Sequence, residues 1–375
     1  MKIKSKILIV TPHLNPFPSG SGRNALEFSI EIARKGFPVR ILTFSGNSRV
    51  SVAGNILLQV KAIPISFGNL LARRLSSILL LPRSFFLFLN SSIIVVFGSF
   101  PGYLLLLCLA RILNKRTVFR STLNGADDIL TLSRNQHLRK FLLKNIDLYY
   151  ATNPLFKKKY INVFPNRGNK ILELSSGVSS NWIFDGSKKT KDGEPITLIS
   201  IGNLIDRKGY IPVFNALSKV RVNFVYIVIG ECSPSAFFSD EENKQITHNH
   251  SYGKNILGSK VKFTGFVENV KDYLEKADLF ILNSTYEGIP NSLLQAMACG
   301  VVPIISKLDG ISDYIVNHRK NGIVISDAIE IPSWINTLLN DTTLMRNLSE
   351  ESRQTIINNH RMERVVSTFI DRINR

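Results

Sequence analysis

The stretch that decides the fold is D278-LFILNSTYEGIPNSLLQAMACGVVPI-I305. It opens on an apolar run short enough for a strand, Leu279 to Leu282, then passes through a Glu-Gly-x-Pro turn at Glu287 to Pro290. A helix opened by Asn291 and Ser292 follows, and Gly300 returns the chain to a second apolar run. Strand, turn, helix and strand within about thirty residues make a βαβ unit, whose strands lie parallel in one sheet. The helix N-terminus presents free N–H groups and a positive dipole end, which suits a phosphate. Glu287, just before it, is a strong acceptor for sugar hydroxyls, although alone it reads as an exposed loop carboxylate.

The same alternation extends in both directions. Toward the N-terminus lie KILIV, a helix from about Asn24 to Lys35, FPVRILTF, SIIVVF, a Leu-rich helix over 101–113 and RTVFRS. Between Trp182 and Pro195 the polar stretch IFDGSKKTKDGE has no periodicity and reads as a linker. The pattern then restarts with ITLISIG, a helix from about Ile211 to Lys219, NFVYIVIG, VKFTGF and a short helix near Asp272 to Lys276. At 375 residues the chain suits two cores rather than one. The predicted domains are 1–180, a linker over 181–195, 196–355, and a C-terminal helix over 356–375 that crosses back to the N-terminal domain. Two doubly wound sheets in series predict a cleft at the carboxyl ends of their strands.

Charge separates the halves. Residues 1–180 hold 25 Lys and Arg against 6 Asp and Glu, whereas residues 181–375 hold 22 of each, so the whole net charge of +19 lies in the first half. That field favours anionic partners, including phosphorylated small molecules and anionic membranes. Nucleic acid is not expected, because the basic half lacks basic–aromatic interleaving and any recognised motif. Ser84 to Ala110 carries no Asp, Glu, Lys or Arg over 27 residues, long enough to span a bilayer. Asn90, Gly98, Pro101 and Gly102 punctuate it, however, and it reads as a strand, Ser92 to Phe97, followed by the Leu-rich helix. Leu70 to Leu81 reads either as a helix with an exposed apolar face or as core. Cys108, Cys232 and Cys299 have no metal-ligand spacing and read as buried thiols of a reducing compartment. Ile7 to Val10 is shorter than the ~7 to 15 residues of a signal-peptide core and reads as the first strand.

Taken in order, these segments resemble the retaining glycosyltransferases of family 4, within the GT-B fold class. Strand, Ser, x, Tyr, Glu-Gly-x-Pro and Leu-Leu-x-Ala-Met-Ala-x-Gly resembles their donor-binding signature, and ISIGNLIDRKG resembles their Gly-Arg-Leu…Lys-Gly element. KFTGFVENVKDYLEKADLFIL resembles the nucleobase-loop region, LSSGVSSNWIF the element before the linker, and GISDYIVNHRKNGIVI the late loop. The resemblance implies two Rossmann-like domains facing across a cleft, a nucleoside-diphosphate sugar as donor substrate, no cofactor, and a glycan or lipid-linked acceptor. It implies that Lys208 neutralises the donor diphosphate and stabilises it as it leaves. Glu287 would hold the donor sugar, with Gly288, Ile289, Pro290, Asn291 and Ser292 forming the turn and helix start around it. Backbone groups near Phe266 and Val267 would face the nucleobase.

Two positions depart from the family pattern. Asn203 stands where an Arg is usual, so the leaving group would rest on Lys208 or borrow Arg207. Gln295 replaces the second Glu of an acidic pair, where an amide still serves ribose hydroxyls. In the N-terminal half, PFPSGSGRNALEFSIEIARKG places Gly20 and Gly22 between the first strand and a helix, where backbone can approach a ligand closely. Asn124 occupies the position of a family His, with Asp127 and Asp128 beyond it. His13 reads first as a solvated loop histidine and second as an acceptor-side residue. The absence of Asp-x-Asp and of any His/Cys cluster predicts a mechanism without metal, in which the departing phosphate assists deprotonation of the acceptor. The implied setting is surface-polysaccharide or glycolipid biosynthesis on the inner face of a membrane. Two alternatives stay open: a nucleotide-sugar 2-epimerase of the same fold, and a catalytically impaired binding subunit marked by Asn203 and Gln295.

Overall fold

In the N-terminal half ILIVT and IIVVF are central strands with every residue buried. Such runs are what a parallel strand covered on both faces requires. The computed structural model describes residues 5–14, 20–44, 49–53, 56–62, 81–82, 84–100, 102–125, 127, 137–184, 194–235 and 238–375. The chain divides into two units, Met1–Gly177 with Met362–Arg375, and Val178–Arg361.

The first unit holds an eight-stranded sheet in the order β3-β4-β2-β1-β5-β6-β7-β8. Its strands are β1 (Ile7–Thr11), β2 (Val39–Thr43), β3 (Arg49–Ala53), β4 (Ile56–Ala62), β5 (Ile93–Phe97), β6 (Arg116–Arg120), β7 (Leu148–Ala151) and β8 (Ile171–Glu173). All neighbours run parallel except β3 and β4, which form an antiparallel pair at one edge. The helices are α1 (Gly20–Arg34), α2 (84–89), α3 (Tyr103–Ile112), α4 (His137–Lys144) and α5 (Pro154–Val163). The C-terminal helix, Met362–Ile373, also belongs to this unit. Its Met362, Val365, Val366, Phe369, Ile370 and Ile373 are buried, a 3.6-residue stripe packed on α1, where the Phe28 and Phe369 rings meet at 5.1 Å.

Helix α1 starts four residues before the expected Asn24, so Gly20 and Gly22 lie in its first turn rather than in a loop. The physical reason is a close backbone crossing. A Cβ on Gly22 would stand 2.0 Å from the His13 carbonyl oxygen, so the helix reaches the segment after β1 only because that position has no side chain.

The second unit holds a six-stranded, all-parallel sheet in the order β11-β10-β9-β12-β13-β14. Its strands are β9 (Ile196–Ile201), β10 (Phe224–Ile229), β11 (Val261–Gly265), β12 (Leu279–Leu282), β13 (Val302–Ser306) and β14 (Ile323–Ile325). The helices are α6 (Tyr210–Leu217), α7 (Asp240–Leu257), α8 (Val270–Lys276), α9 (Asn291–Ala298), α10 (Ile331–Asn340) and α11 (Thr342–Asn359), and the C-terminal helix is α12. Helix α9 buries Leu293, Leu294, Gln295, Ala296, Met297 and Ala298, which is why its sequence is apolar on all sides.

The uncharged 84–110 stretch resolves into α2, β5 and α3, and no described helix is long and apolar enough to cross a membrane. The Leu70 to Leu81 reading lies, apart from Leu81, outside the described residues. Of the three cysteines only Cys299 is buried; Cys108 and Cys232 are partly exposed, which corrects the expectation of three buried thiols.

Candidate functional site

In the second unit β9 is flanked by β10 on one side and β12 on the other, so the chain order reverses between β9 and β12. Loops leaving the carboxyl ends of two such strands diverge and open a binding crevice. Residues 202–209 leave β9 and residues 283–290 leave β12. They are stitched together by Thr285 N–H donating to the Arg207 carbonyl at 2.8 Å and by Asn283 Nδ2 donating to the Gly209 carbonyl at 3.2 Å. Gly209 makes this approach possible. Its φ is 64°, and a Cβ there would lie 2.1 Å from the Asn283 carbonyl oxygen.

The two loops carry opposite charges into contact. Lys208 Nζ lies 2.5 Å and Arg207 Nη1 3.3 Å from Glu287 Oε1, and Ser284 Oγ donates to the same oxygen at 2.8 Å. All three donors converge on Oε1, and none of them reaches Oε2. Glu287 is 7% exposed and not the surface carboxylate that a loop position suggests. Burial pushes its carboxyl upward, but Lys208, Arg207 and the bonds from Lys208 and Ser284 outweigh burial and hold it below the ordinary value. Burial pulls the Lys208 ammonium below its usual range, and although Glu287 opposes this, Arg207 adds to it. The guanidinium of Arg207 also sits 5.8 Å over the Tyr286 ring.

Beside this cluster, Asn203 accepts the Glu231 N–H on its Oδ1 at 3.1 Å, joining the loop after β9 to the end of β10. Tyr210 OH donates to the Gly202 carbonyl at 2.6 Å. Phe266 follows Gly265 at the end of β11 and is 45% exposed, while Val267 is half-buried. Gly288, Ile289 and Pro290 are buried, and Asn291 and Ser292 are partly exposed in the first turn of α9. Pro290, not a polar side chain, precedes that helix as its cap. Gln295 is buried at 9%. Among the described residues no group of three His, Cys, Asp or Glu is arranged to hold a metal.

The candidates of the first unit lie at the ends of β1, β5 and β6. His13 is half-buried, and burial lowers its pKa. Asn124 accepts from Lys159 Nζ at 2.8 Å. Asp127 is buried and accepts from Ser99 N–H and Oγ, Thr122 N–H and Oγ, and Leu123 N–H. Its carboxylate therefore knits two loops together. Asp128 lies outside the described residues. Sequence reading missed Arg120, fully buried between the Phe97 and Tyr150 rings at 4.6 and 5.1 Å and donating to Asn24 and Ser176. Burial lowers its pKa, with Tyr150 and Asp127 acting against that. The sequence signal was an Arg closing the short strand Arg-Thr-Val-Phe-Arg, Arg116–Arg120.

Residues 184–355 match the family model of the glycosyl transferases group 1. The matched residues lie within the second unit. The chain is 19% identical over 229 residues to the lipopolysaccharide core biosynthesis glycosyltransferase LpsE of Rhizobium meliloti, covering 60% of this chain and 64% of that protein. It is 22% identical over 217 residues to the UDP-Gal:alpha-D-GlcNAc-diphosphoundecaprenol alpha-1,3-galactosyltransferase of Escherichia coli, covering 48% and 56%. The matches thus span less than two thirds of these relatives' own lengths. A crystal structure of Anabaena Alr3699/HepE in complex with UDP and glucose superposes with a TM-score of 0.75 at 16% identity over 99% of both chains. That likeness establishes the fold, two Rossmann-like domains of the GT-B class. Lys208 and Glu287 both fall within the matched residues 184–355, whereas His13, Asn124 and Asp127 lie outside them.

Proposed function

We propose that the chain is a retaining glycosyltransferase that moves a sugar from a nucleoside-diphosphate sugar to a lipid-linked or glycan acceptor. The observation that carries this is the asymmetry at Glu287, where Lys208, Arg207 and Ser284 all hold Oε1. With Oε1 tied to protein, Oε2 serves as an oriented acceptor for a sugar hydroxyl. An ammonium has three donors, so Lys208 reaches donor phosphate without releasing Glu287. Its charge gains importance as the bond between sugar and phosphate breaks, which lowers the barrier more than it strengthens ground-state binding. Arg207 supplies a second cation where the family pattern has its Arg at 203. Phe266 offers an exposed face to the nucleobase, and Gln295 takes the ribose.

Charge neutralisation in this scheme is assigned to Lys208 and Arg207 and uses no metal. Retention follows if the departing phosphate accepts the proton of the incoming hydroxyl on the same face of the sugar. The acceptor belongs to the first unit, at His13, Asn124 and the loop that Asp127 organises. A lipid-linked acceptor is supported by the match to the diphosphoundecaprenol-dependent enzyme and by the +19 charge confined to residues 1–180. That charge favours peripheral docking on an anionic membrane face, with biosynthesis of a surface polysaccharide or glycolipid as the setting.

The test is product analysis by mass spectrometry after incubation with a panel of nucleotide sugars and a polyprenyl-diphosphate-linked acceptor. The proposal expects nucleoside diphosphate together with an acceptor heavier by one sugar. A nucleotide sugar that is only interconverted identifies an epimerase, and a chain that neither transfers nor hydrolyses any donor is a binding subunit.

A further inference from the structure

Between α2 and α3 the first unit leaves an apolar groove of about 450 Å³, lined by Leu81, Pro82, Phe85, Phe86, Leu109 and Ile112 among others. Its rim is exposed: Phe86 by 70%, Ile112 by 79% and Leu89 by 44%. Helix α4 extends the patch through Phe141, 51% exposed, whose ring lies 5.6 Å beneath the Arg111 guanidinium. Large apolar side chains gathered on one face, rather than scattered singly, mark a surface that meets something apolar.

The charges around the groove identify what that is. Among the described residues of 81–146, Arg111, Lys140 and Lys144 are exposed and Lys115 and Arg116 partly exposed, and the one described carboxylate, Asp127, is buried and held by loop donors. Lys115 donates to the Leu89 carbonyl at 3.0 Å, placing its ammonium at the end of α2, and Lys140 and Lys144 are exposed on α4. A protein partner is met by an apolar centre with a rim of mixed charge, and a nucleic acid by cations at the centre. An apolar centre inside a rim of one positive sign matches a leaflet with anionic headgroups above hydrocarbon.

We propose that this face inserts into an anionic bilayer, with Phe86, Ile112 and Phe141 among the acyl chains, lipid chain filling the groove, and Arg111, Lys115, Lys140 and Lys144 at the headgroups. The inference rests on the reading of a transferase that docks on a membrane, and adds that docking is hydrophobic as well as Coulombic.

The experiment uses the full chain and vesicles of phosphatidylglycerol with phosphatidylcholine. Both native tryptophans, Trp182 and Trp334, lie in the second unit, so Phe86→Trp adds a local reporter. Its emission is expected to shift to the blue on binding and to be quenched by lipids brominated in their acyl chains. A Phe86→Ser/Ile112→Ser double variant alters exposed positions and is expected to bind these vesicles at least ~30-fold more weakly, with the deficit persisting at high salt. Binding without acyl-chain quenching, or a double variant that binds like wild type, overturns insertion while leaving electrostatic docking and the transferase intact. Absence of binding to any vesicle, or a dimer in wild type that the double variant loses, also overturns it. Quenching in a chain that transfers no sugar supports insertion and defeats the transferase reading instead.

Discussion

Replacing Glu287 by Ala removes the anion on which two cations converge, and the geometry sets the size of the loss. At 2.5 Å from Lys208 and 3.3 Å from Arg207, an effective dielectric constant of about 20 gives gross attractions of about 7 and 5 kcal/mol. Desolvation of the three groups consumes most of this. What the substitution exposes is an uncompensated buried cation, since the Lys208 side chain is only 12% accessible. Losing one partner of such a pair costs about 3–5 kcal/mol. Lys208→Met leaves Glu287 still paired with Arg207 and Ser284 and costs less, about 1–3 kcal/mol. Urea unfolding monitored by tryptophan fluorescence measures both, because Trp182 and Trp334 report on the second unit alone. The pH dependence has a definite sign. Without Glu287 the Lys208 pKa falls further below its unfolded value, so the deficit is full at pH below that lowered value. It shrinks as pH rises through the folded pKa toward about 10.4, because the ammonium can shed its proton. Additive losses in the Lys208→Met/Glu287→Ala double mutant, or a deficit that is flat with pH, would refute the coupling.

Gly209→Ala forces a side chain onto the Asn283 carbonyl at a left-handed φ, so it is expected to destabilise the second unit by at least ~2 kcal/mol and to weaken nucleotide binding, both readable by calorimetry. Nucleoside diphosphate should raise the lowered pKa of Lys208, so binding at alkaline pH takes up protons; titrations in buffers of different ionisation enthalpy measure the uptake, and Lys208→Met abolishes it. Gln295→Glu is expected to keep activity and hold the nucleotide at least as tightly. Loss of nucleotide binding in that variant, measured by calorimetry, means that the site serves another ligand.

The site was legible because its chemistry is local. Glu287 opens the turn into α9, which strand–turn–helix spacing shows, whereas Lys208, one residue before Gly209, stands out only through the resemblance of ISIGNLIDRKG to a family element. Their mutual pairing was not legible, because it depends on β9 and β12 being neighbours although about 80 residues apart, a matter of sheet order rather than spacing. Ser284 stood in the quoted stretch, but its bond to Oε1 follows from loop conformation. Helix α7 went unread because its sequence, DEENKQITHNHSYGKNIL, buries only Ile246, Asn249, Gly253 and Leu257. Its start is nevertheless signalled by the Ser239–Glu242 capping box. The β3–β4 pair had a signal in RVSVA and ILLQVKA, two runs separated in sequence by Gly-Asn. Gly22 was singled out for a ligand, whereas its closest approach is to the chain's own His13 backbone.

We propose that Lys208 and Glu287 together bind and activate a nucleotide-sugar donor. Single-turnover release of nucleoside diphosphate, in the presence of the acceptor identified by mass spectrometry, tests it most directly. Lys208→Ala and Glu287→Gln are each expected to slow that step by at least about tenfold, roughly 1.4 kcal/mol of transition-state stabilisation. Circular dichroism should show both variants folded. Release at the wild-type rate in either folded variant would contradict the account.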